Sequence, residues 1–318
     1  MFKLPSSLSS SIIRSSLRRL SSSSSSLSLS LSLIDLNDYI SKNRSTLKPP
    51  VANKLMFDCN SLKIMIVGGP NQRDDYHIEK GEELFIQLQG HMDLDIMDNN
   101  KFKRIRISKG EMFVLPPCIP HSPQRYANSI GLVFERVRYK NENDALRWYV
   151  PDTNNILYQE VFSCTDLGTQ LKPVIERYQQ SSENLTKIPS KGLSVTNEFD
   201  RDINMQKYDL PFDFNEKINN IAINNNSNNI KNSLINSYEY VVNVFKGSLS
   251  STHTISNGDM FLWQLSGDSE IIIKDNEKPL NLKEGQVAVL TNSKVTDLFI
   301  KQNNSNDKLL TIHNKATK

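Results

Sequence analysis

The chain has 318 residues, 37% of them hydrophobic and 8% aromatic, with a formal net charge of +3. That length suits two compact domains with tails, and so small a charge excludes the concentrated basic excess of a dedicated nucleic-acid binder. No run of about 18 apolar residues predicts a membrane span, and Cys59, Cys118 and Cys164, scattered and without a CxxC pair, exclude a disulfide framework and a cysteine zinc site and fit a reducing compartment.

Residues 1–34 are dominated by Ser and Leu, carry Lys3, Arg14, Arg18 and Arg19, and hold no acidic residue. Such a segment cannot bury a core. It reads either as an Arg- and Ser-rich mitochondrial transit peptide or as a low-complexity expansion without an address. The Asn-rich runs at 224–229 and 303–306 keep the second reading open, so the cytoplasm is the expected location and the mitochondrion the alternative. Folding is expected to begin near Ile34, and the segment to be dispensable for it.

From Lys63 onward, short strands alternate with turns. Lys63–Val67 ends at Gly68-Gly69-Pro70, while His91–Ile96 and Arg104–Ile107 alternate polar and apolar residues. Such spacing indicates an all-β sandwich or barrel. A helix is expected over Pro173–Ser182, with Pro173 in the first turn and Val174, Ile175 and Tyr178 on one side. Between Leu193 and Asn236 the chain turns polar. The resulting division is a tail at 1–34, a domain at 35–190, a linker at 191–207 and a second domain at 208–318.

The two domains repeat one another. Leu84–Gly90 matches Phe261–Gly267, and about twenty residues beyond each block Lys109–Leu115 matches Glu284–Leu290. Matched blocks in the same order and at similar spacing indicate a duplicated unit. The first unit also carries a spaced set of ligand-type residues: His77 lies six residues before Glu83, and Gly110 is followed by Pro116 and then His121. Singly, each of these is a surface or hydrogen-bonded side chain. Two imidazoles and one carboxylate on one face of an octahedral ion leave adjacent positions open, the arrangement of non-haem Fe(II) oxygenases. His91, His253 and His313 have no such companions and are read as structural or exposed, and Cys118 as a small turn residue.

The spacing of His77, Glu83, Gly90, Gly110, Pro116 and His121 resembles the two motifs of the cupin superfamily, with Glu79 where a second histidine usually stands. The segments Gly68–His77, His121–Arg125 and Gly131–Arg136, with Asp166–Leu171, closely resemble the 3-hydroxyanthranilate 3,4-dioxygenase family, in its eukaryotic two-cupin form, from about Ile34 to the end of the chain. The resemblance implies a bicupin, two double-stranded β-helix (jelly-roll) barrels with few helices and a degenerate second barrel. It implies Fe(II) held by His77, Glu83 and His121, and active-site roles for Arg73, Arg125 and Glu135. The C-terminal CxxC pairs of bacterial relatives are missing, so one iron per chain is implied.

Chemistry suggests the roles. The guanidinium fork of Arg125 suits a substrate carboxylate, Arg73 could donate to dioxygen as charge develops on it, and Glu135, alternating with Val133 and Val137, could take a proton inside the barrel. The implied substrates are 3-hydroxyanthranilate and O2, acted on by a monomer without nucleic-acid or membrane partners. Another metal-dependent cupin enzyme, and a non-catalytic cupin that binds a small molecule, are the alternatives. Aligned on the repeat, Met260 falls where Glu83 stands and Thr254 where His77 stands, with His253 one residue out of register, so the second barrel is expected to lack metal.

Overall fold

The apolar run at Lys63–Val67 forms a strand over Leu62–Gly68, and it is apolar on both sides because it faces two cores. Leu62, Ile64 and Ile66 pack into one, Met65 and Val67 into another. This strand belongs to a computed structural model that describes residues 30–49, 52–189, 199, 207–221, 231–255, 258–274, 278–292 and 296–315.

The first unit runs β1 (Ser30–Asp35), α1 (Leu36–Asn43), β2 (Asn53–Asp58), β3 (Leu62–Gly68), β4 (Tyr76–Ile78), β5 (Glu83–Gln89), β6 (His91–Asp98), β7 (Lys101–Ser108), β8 (Glu111–Leu115), β9 (His121–Arg125), β10 (Ile130–Arg136), β11 (Asp144–Tyr149), β12 (Ile156–Phe162), α2 (Leu167–Gln179) and α3 (Ser182–Thr186). The second runs β13 (Phe212–Asp213), α4 (Phe214–Asn219), β14 (Lys231–Asn236), β15 (Tyr240–Lys246), β16 (Leu249–Ile255), β17 (Gly258–Ser266), β18 (Asp268–Ile273), β19 (Leu280–Lys283), β20 (Gln286–Asn292), β21 (Thr296–Gln302) and β22 (Lys308–Asn314).

Each unit closes two antiparallel sheets over its own apolar interior. The first has orders β13-β8-β5-β10-β3-β2 and β12-β11-β4-β9-β6-β7, the second β1-β20-β17-β22-β15-β14 and β16-β21-β18-β19. The repeat blocks occupy matching places, β5 and β8 in one barrel, β17 and β20 in the other. Their glycines are retained for a backbone reason: Gly90 and Gly267 turn with φ of 64° and 67°, where a side chain is strained. The six-stranded sheets of the two barrels pack face to face, joining Ile64, Leu84 and Phe134 to Val244, Phe261 and Leu310 in one continuous core.

Each unit lends its first strand to the other. β1 pairs with β20 from Ser30↔Thr291 to Asp35↔Gln286, and β13 pairs with β8. The strand–helix corners match: Asp35 caps α1 by accepting from the Asp38 N–H, and Asp213 caps α4 by accepting from the Glu216 N–H. The sheet edges at β8 and β20 are thereby covered, which removes two sites of edge-to-edge association.

Three expectations change. The first described strand starts at Ser30, ahead of the expected Ile34, because Ser-Leu alternation suffices for an edge strand on β20. The exchange also carries β1 and β13 across the boundaries at 34/35 and 207/208, so sequential segments and sheets do not coincide. The second helix spans Leu167–Gln179 with Pro173 inside it, because Asp166, accepting from the Gly168 N–H, sets the first turn; Leu171, Val174 and Tyr178 are its buried face. The linker at 191–207 lies almost wholly outside the described residues. No helix among the described residues is long and apolar enough to cross a membrane.

Truncation separates tail from strand. Removing residues 1–29 is expected to leave the thermal midpoint unchanged, whereas removing 1–35 deletes β1 and the α1 cap and should cost on the order of a few kcal/mol. Equal midpoints for both truncations would show that β1 contributes nothing.

Candidate metal centre

Strand pairing puts the expected ligands side by side. His77 on β4 stands opposite His121 on β9, and Glu83, the first residue of β5, opposite Glu135 on β10. All four are buried. His121 Nε2 lies 2.8 Å from Glu83 Oε1 and His77 Nδ1 4.0 Å from it, with the two imidazoles inclined at 76°.

The outer nitrogen of each ring is already engaged. His121 Nδ1 donates to the Ile119 carbonyl at 2.9 Å, and His77 Nε2 donates to Asp144 Oδ2 at 2.7 Å. Lone pairs on His121 Nε2 and His77 Nδ1 are then left facing Glu83, whose Oε1 has no hydrogen-bond donor despite the short contact. Three lone-pair donors converging without a proton between them fit a divalent cation, and their ligand atoms all lie within 4.8 Å of one another.

A second carboxylate group, Glu79, Glu83 and Glu135, is equally close. Glu79 and Glu135 are both ion-paired with Arg138, which also holds Asp144 through Nε at 3.1 Å and Nη2 at 2.9 Å. Glu79 and Glu135 are thus already ion-paired to Arg138, whereas Glu83, between the two imidazoles, makes no ion pair with an arginine or lysine. Burial raises Glu135 and Glu79 despite Arg138, while Asp144, raised by burial but lowered more by His77 and Arg138, falls to about 2.

The site opens into a pocket lined by Asn71, Arg73, His77, Glu83, Phe85, His121, Arg125 and Glu135 among others. Glu135 also borders a second pocket between β2, β3 and the start of α2. Arg73 is held by Asp75 and by its backbone to Gln124, and the bridge between Asn71 and Arg125 pins this loop to β9. Arg125 is only 6% exposed, and its guanidinium contacts Met92 Sδ and no carboxylate. Burial lowers its pKa to about 10.

All six expected site residues therefore meet at one pocket. Asp144 and Arg138 were not foreseen: Asp144 lies 67 residues from His77, and no local spacing links them. In the second barrel the ladder corrects the alignment. His253, not Thr254, stands opposite Leu298 as His77 stands opposite His121, because Met260 lies seven residues after His253 where Glu83 lies six after His77. Thr254 points outward to Asp297. Met260 occupies the place of Glu83, as expected, paired with Leu290 as Glu83 is with Leu115.

Fold and site together define a bicupin with one two-histidine, one-carboxylate centre. A family profile described as 3-hydroxyanthranilic acid dioxygenase matches residues 29–179. A 3-hydroxyanthranilate 3,4-dioxygenase of Xenopus tropicalis is 42% identical over 236 residues, 74% of this chain and 83% of the relative, and that of Mus musculus 38% identical over 238 residues, 75% and 82%. The chain belongs to this family of dioxygenases. The structure of a salicylate 1,2-dioxygenase from Pseudaminobacter salicylatoxidans has the same fold, with a TM-score of 0.52 at 11% identity, covering 89% of this chain and 84% of that one.

Replacing Asp144 by Asn removes the carboxylate that holds the His77 ring and pairs with Arg138. Divalent-metal affinity is expected to fall about 10–100-fold, measured by competition with a chelating dye. Wild-type affinity in this variant would show that the His77 ring needs no such anchor.

Proposed function

We propose that the first barrel binds one Fe(II) through His77, Glu83 and His121 and cleaves the ring of 3-hydroxyanthranilate with O2, giving 2-amino-3-carboxymuconate semialdehyde on the route to quinolinate and NAD. The observation that carries the reading is Arg125, a buried guanidinium with no carboxylate partner beside the imidazole–carboxylate set. An unpaired buried charge is costly, and a substrate carboxylate offsets that cost while fixing the ring. The identity of the relatives supports the same substrate.

Fe(II), when bound, supplies the redox centre at which the aromatic ring and O2 meet. The protein's part is positioning and proton handling. Arg125 would take the carboxylate bidentately, which directs the amino and hydroxyl groups toward His77, Glu83 and His121. Glu135, raised by burial and tied to Arg138 on one oxygen, would accept the phenolic proton or hold the amino group. Arg73, anchored by Asp75, would turn its remaining N–H groups to the dioxygen as it gains negative charge. Phe85 and Val133 line the pocket and exclude water. We place the enzyme in the cytoplasm as a monomer, with the mitochondrion as the alternative if the segment before Ser30 serves as an address.

Anaerobic reconstitution with Fe(II), followed by air and 3-hydroxyanthranilate, should generate the visible-range absorbance of the semialdehyde, with one iron per chain by elemental analysis. Glu83→Ala should lose both iron and turnover; full iron content with normal turnover would remove the ligand assignment. Arg125→Lys should raise KM about tenfold or more as one bidentate contact is lost. An unchanged KM would remove the carboxylate role.

A further inference from the structure

The second barrel repeats the ladders of the first, so each site position has a counterpart. His253 stands for His77 and Leu298 for His121, while Met260 and His313 face each other as Glu83 and Glu135 do. Thr311 and Asn243 pair on β22 and β15 where Val133 and Met65 pair on β10 and β3. With Met260 and Leu298 in two ligand places, three metal ligands no longer converge. Among the described residues the groups able to hold an ion all lie in the first barrel.

The interior is nevertheless polar on one side. His253 Nε2, His313 Nδ1, Thr311 Oγ1 and both amide atoms of Asn243 are buried without a hydrogen-bond partner. They adjoin one another: Asn243 and Thr311 face each other across the ladder, His313 lies on the same face of β22 as Thr311, and the His253 and His313 rings are 6.4 Å apart. Asn243 and Thr311 have no measurable exposure and His253 is 6% exposed, so bulk solvent does not satisfy them. A barrel kept only for packing would be improved by apolar residues at these positions, as Met260 and Leu298 already illustrate, because unpaired buried polar groups are destabilising.

Charge selects the occupant. Burial, with Lys231 next, brings both imidazoles down to about 4, and Lys315 acts on His313 in the same sense; no carboxylate acts on either ring. The charged side chains that act on the rings are Lys231 and Lys315, and each neutral ring can turn an N–H inward alongside the Asn243 amide and the Thr311 hydroxyl. A cation would meet no neutralising group.

We propose that the second barrel binds a small organic carboxylate between His253, His313, Asn243 and Thr311. The site is independent of the activity proposed for the first barrel. Met260, Leu262 and Phe245 are buried in the same interior and make its apolar side.

The test uses the full chain carrying Arg125→Ala, which silences the carboxylate site of the first barrel, with acetate as probe and chloride at equal ionic strength as reference. Acetate should raise the thermal midpoint saturably and shift the imidazole ¹⁵N resonances of His253 and His313. Asn243→Leu should weaken the apparent affinity about tenfold, the value of one lost hydrogen bond to a charged group. Acetate acting no differently from chloride would overturn the proposal, as would an identical response in Asn243→Leu. Saturable binding of acetamide but not acetate would overturn the anionic class. Because the resonance shifts are read with Asn243 intact, the proposal stays falsifiable if the Leu variant fails to fold.

Discussion

Arg138 is the charge on which the interior of the first barrel depends. Four carboxylates, Glu79, Glu83, Glu135 and Asp144, lie buried around it, a concentration that a low-dielectric interior tolerates only when matched. Its guanidinium divides the group in two. Glu79, Glu135 and Asp144 are held by the fork, and Asp144 passes that rigidity to the His77 ring. Glu83 is left to the imidazoles. One arginine thereby decides which carboxylate is free to serve a cation and which are not, and its planar five-donor geometry makes lysine a poor substitute there.

The second barrel braces this arrangement from behind. Glu82, directly before Glu83, accepts from Ser237 Oγ and from the Tyr238 and Glu239 N–H groups, while Glu239 accepts in return from the Glu82 N–H and from Arg136, the neighbour of Glu135. Tyr240 donates to the Phe134 carbonyl. The same latch is built in reverse, where Asp259, directly before Met260, accepts from the N–H and hydroxyl of Ser61. Residues flanking both ends of the Glu83–Glu135 pair are thus held by a barrel in which, among the described residues, no set of three metal-ligating side chains converges.

Much of this was legible in the sequence because it follows from local rules. An apolar run ending at Gly68-Gly69-Pro70 marked β3, period-2 alternation marked β6 and β7, and the repeat blocks marked β5, β8, β17 and β20. The histidine–glutamate spacing located the centre because its residues sit at strand starts whose register fixes their separation. What escaped depends on tertiary context. Asp144 and Arg138 reach the site only through the pairing of β11 with β4 and the chain's path beyond β10. The place of His253 depended on a one-residue difference in its spacing to Met260 that block alignment cannot see. Ser30–Leu33 looked like part of a low-complexity tail because an edge strand needs little more than extended backbone and a partner, and the partner lies at the far end of the chain.

The strand exchange also bears on the order in which the molecule can assemble during synthesis. β1 leaves the ribosome well before its partner residues, Gln286–Thr291, which lie about 250 residues further along the chain. At typical elongation rates the wait is on the order of tens of seconds. Until then the first barrel can close around its own core and take up β13, made earlier, at the edge of β8, but the opening strand has nowhere to dock. Closure of the two sheets is therefore a late, long-range event with a high loop-closure cost. The Ser-rich, weakly hydrophobic character of the opening strand suits a segment that must stay uncommitted for so long without pairing elsewhere.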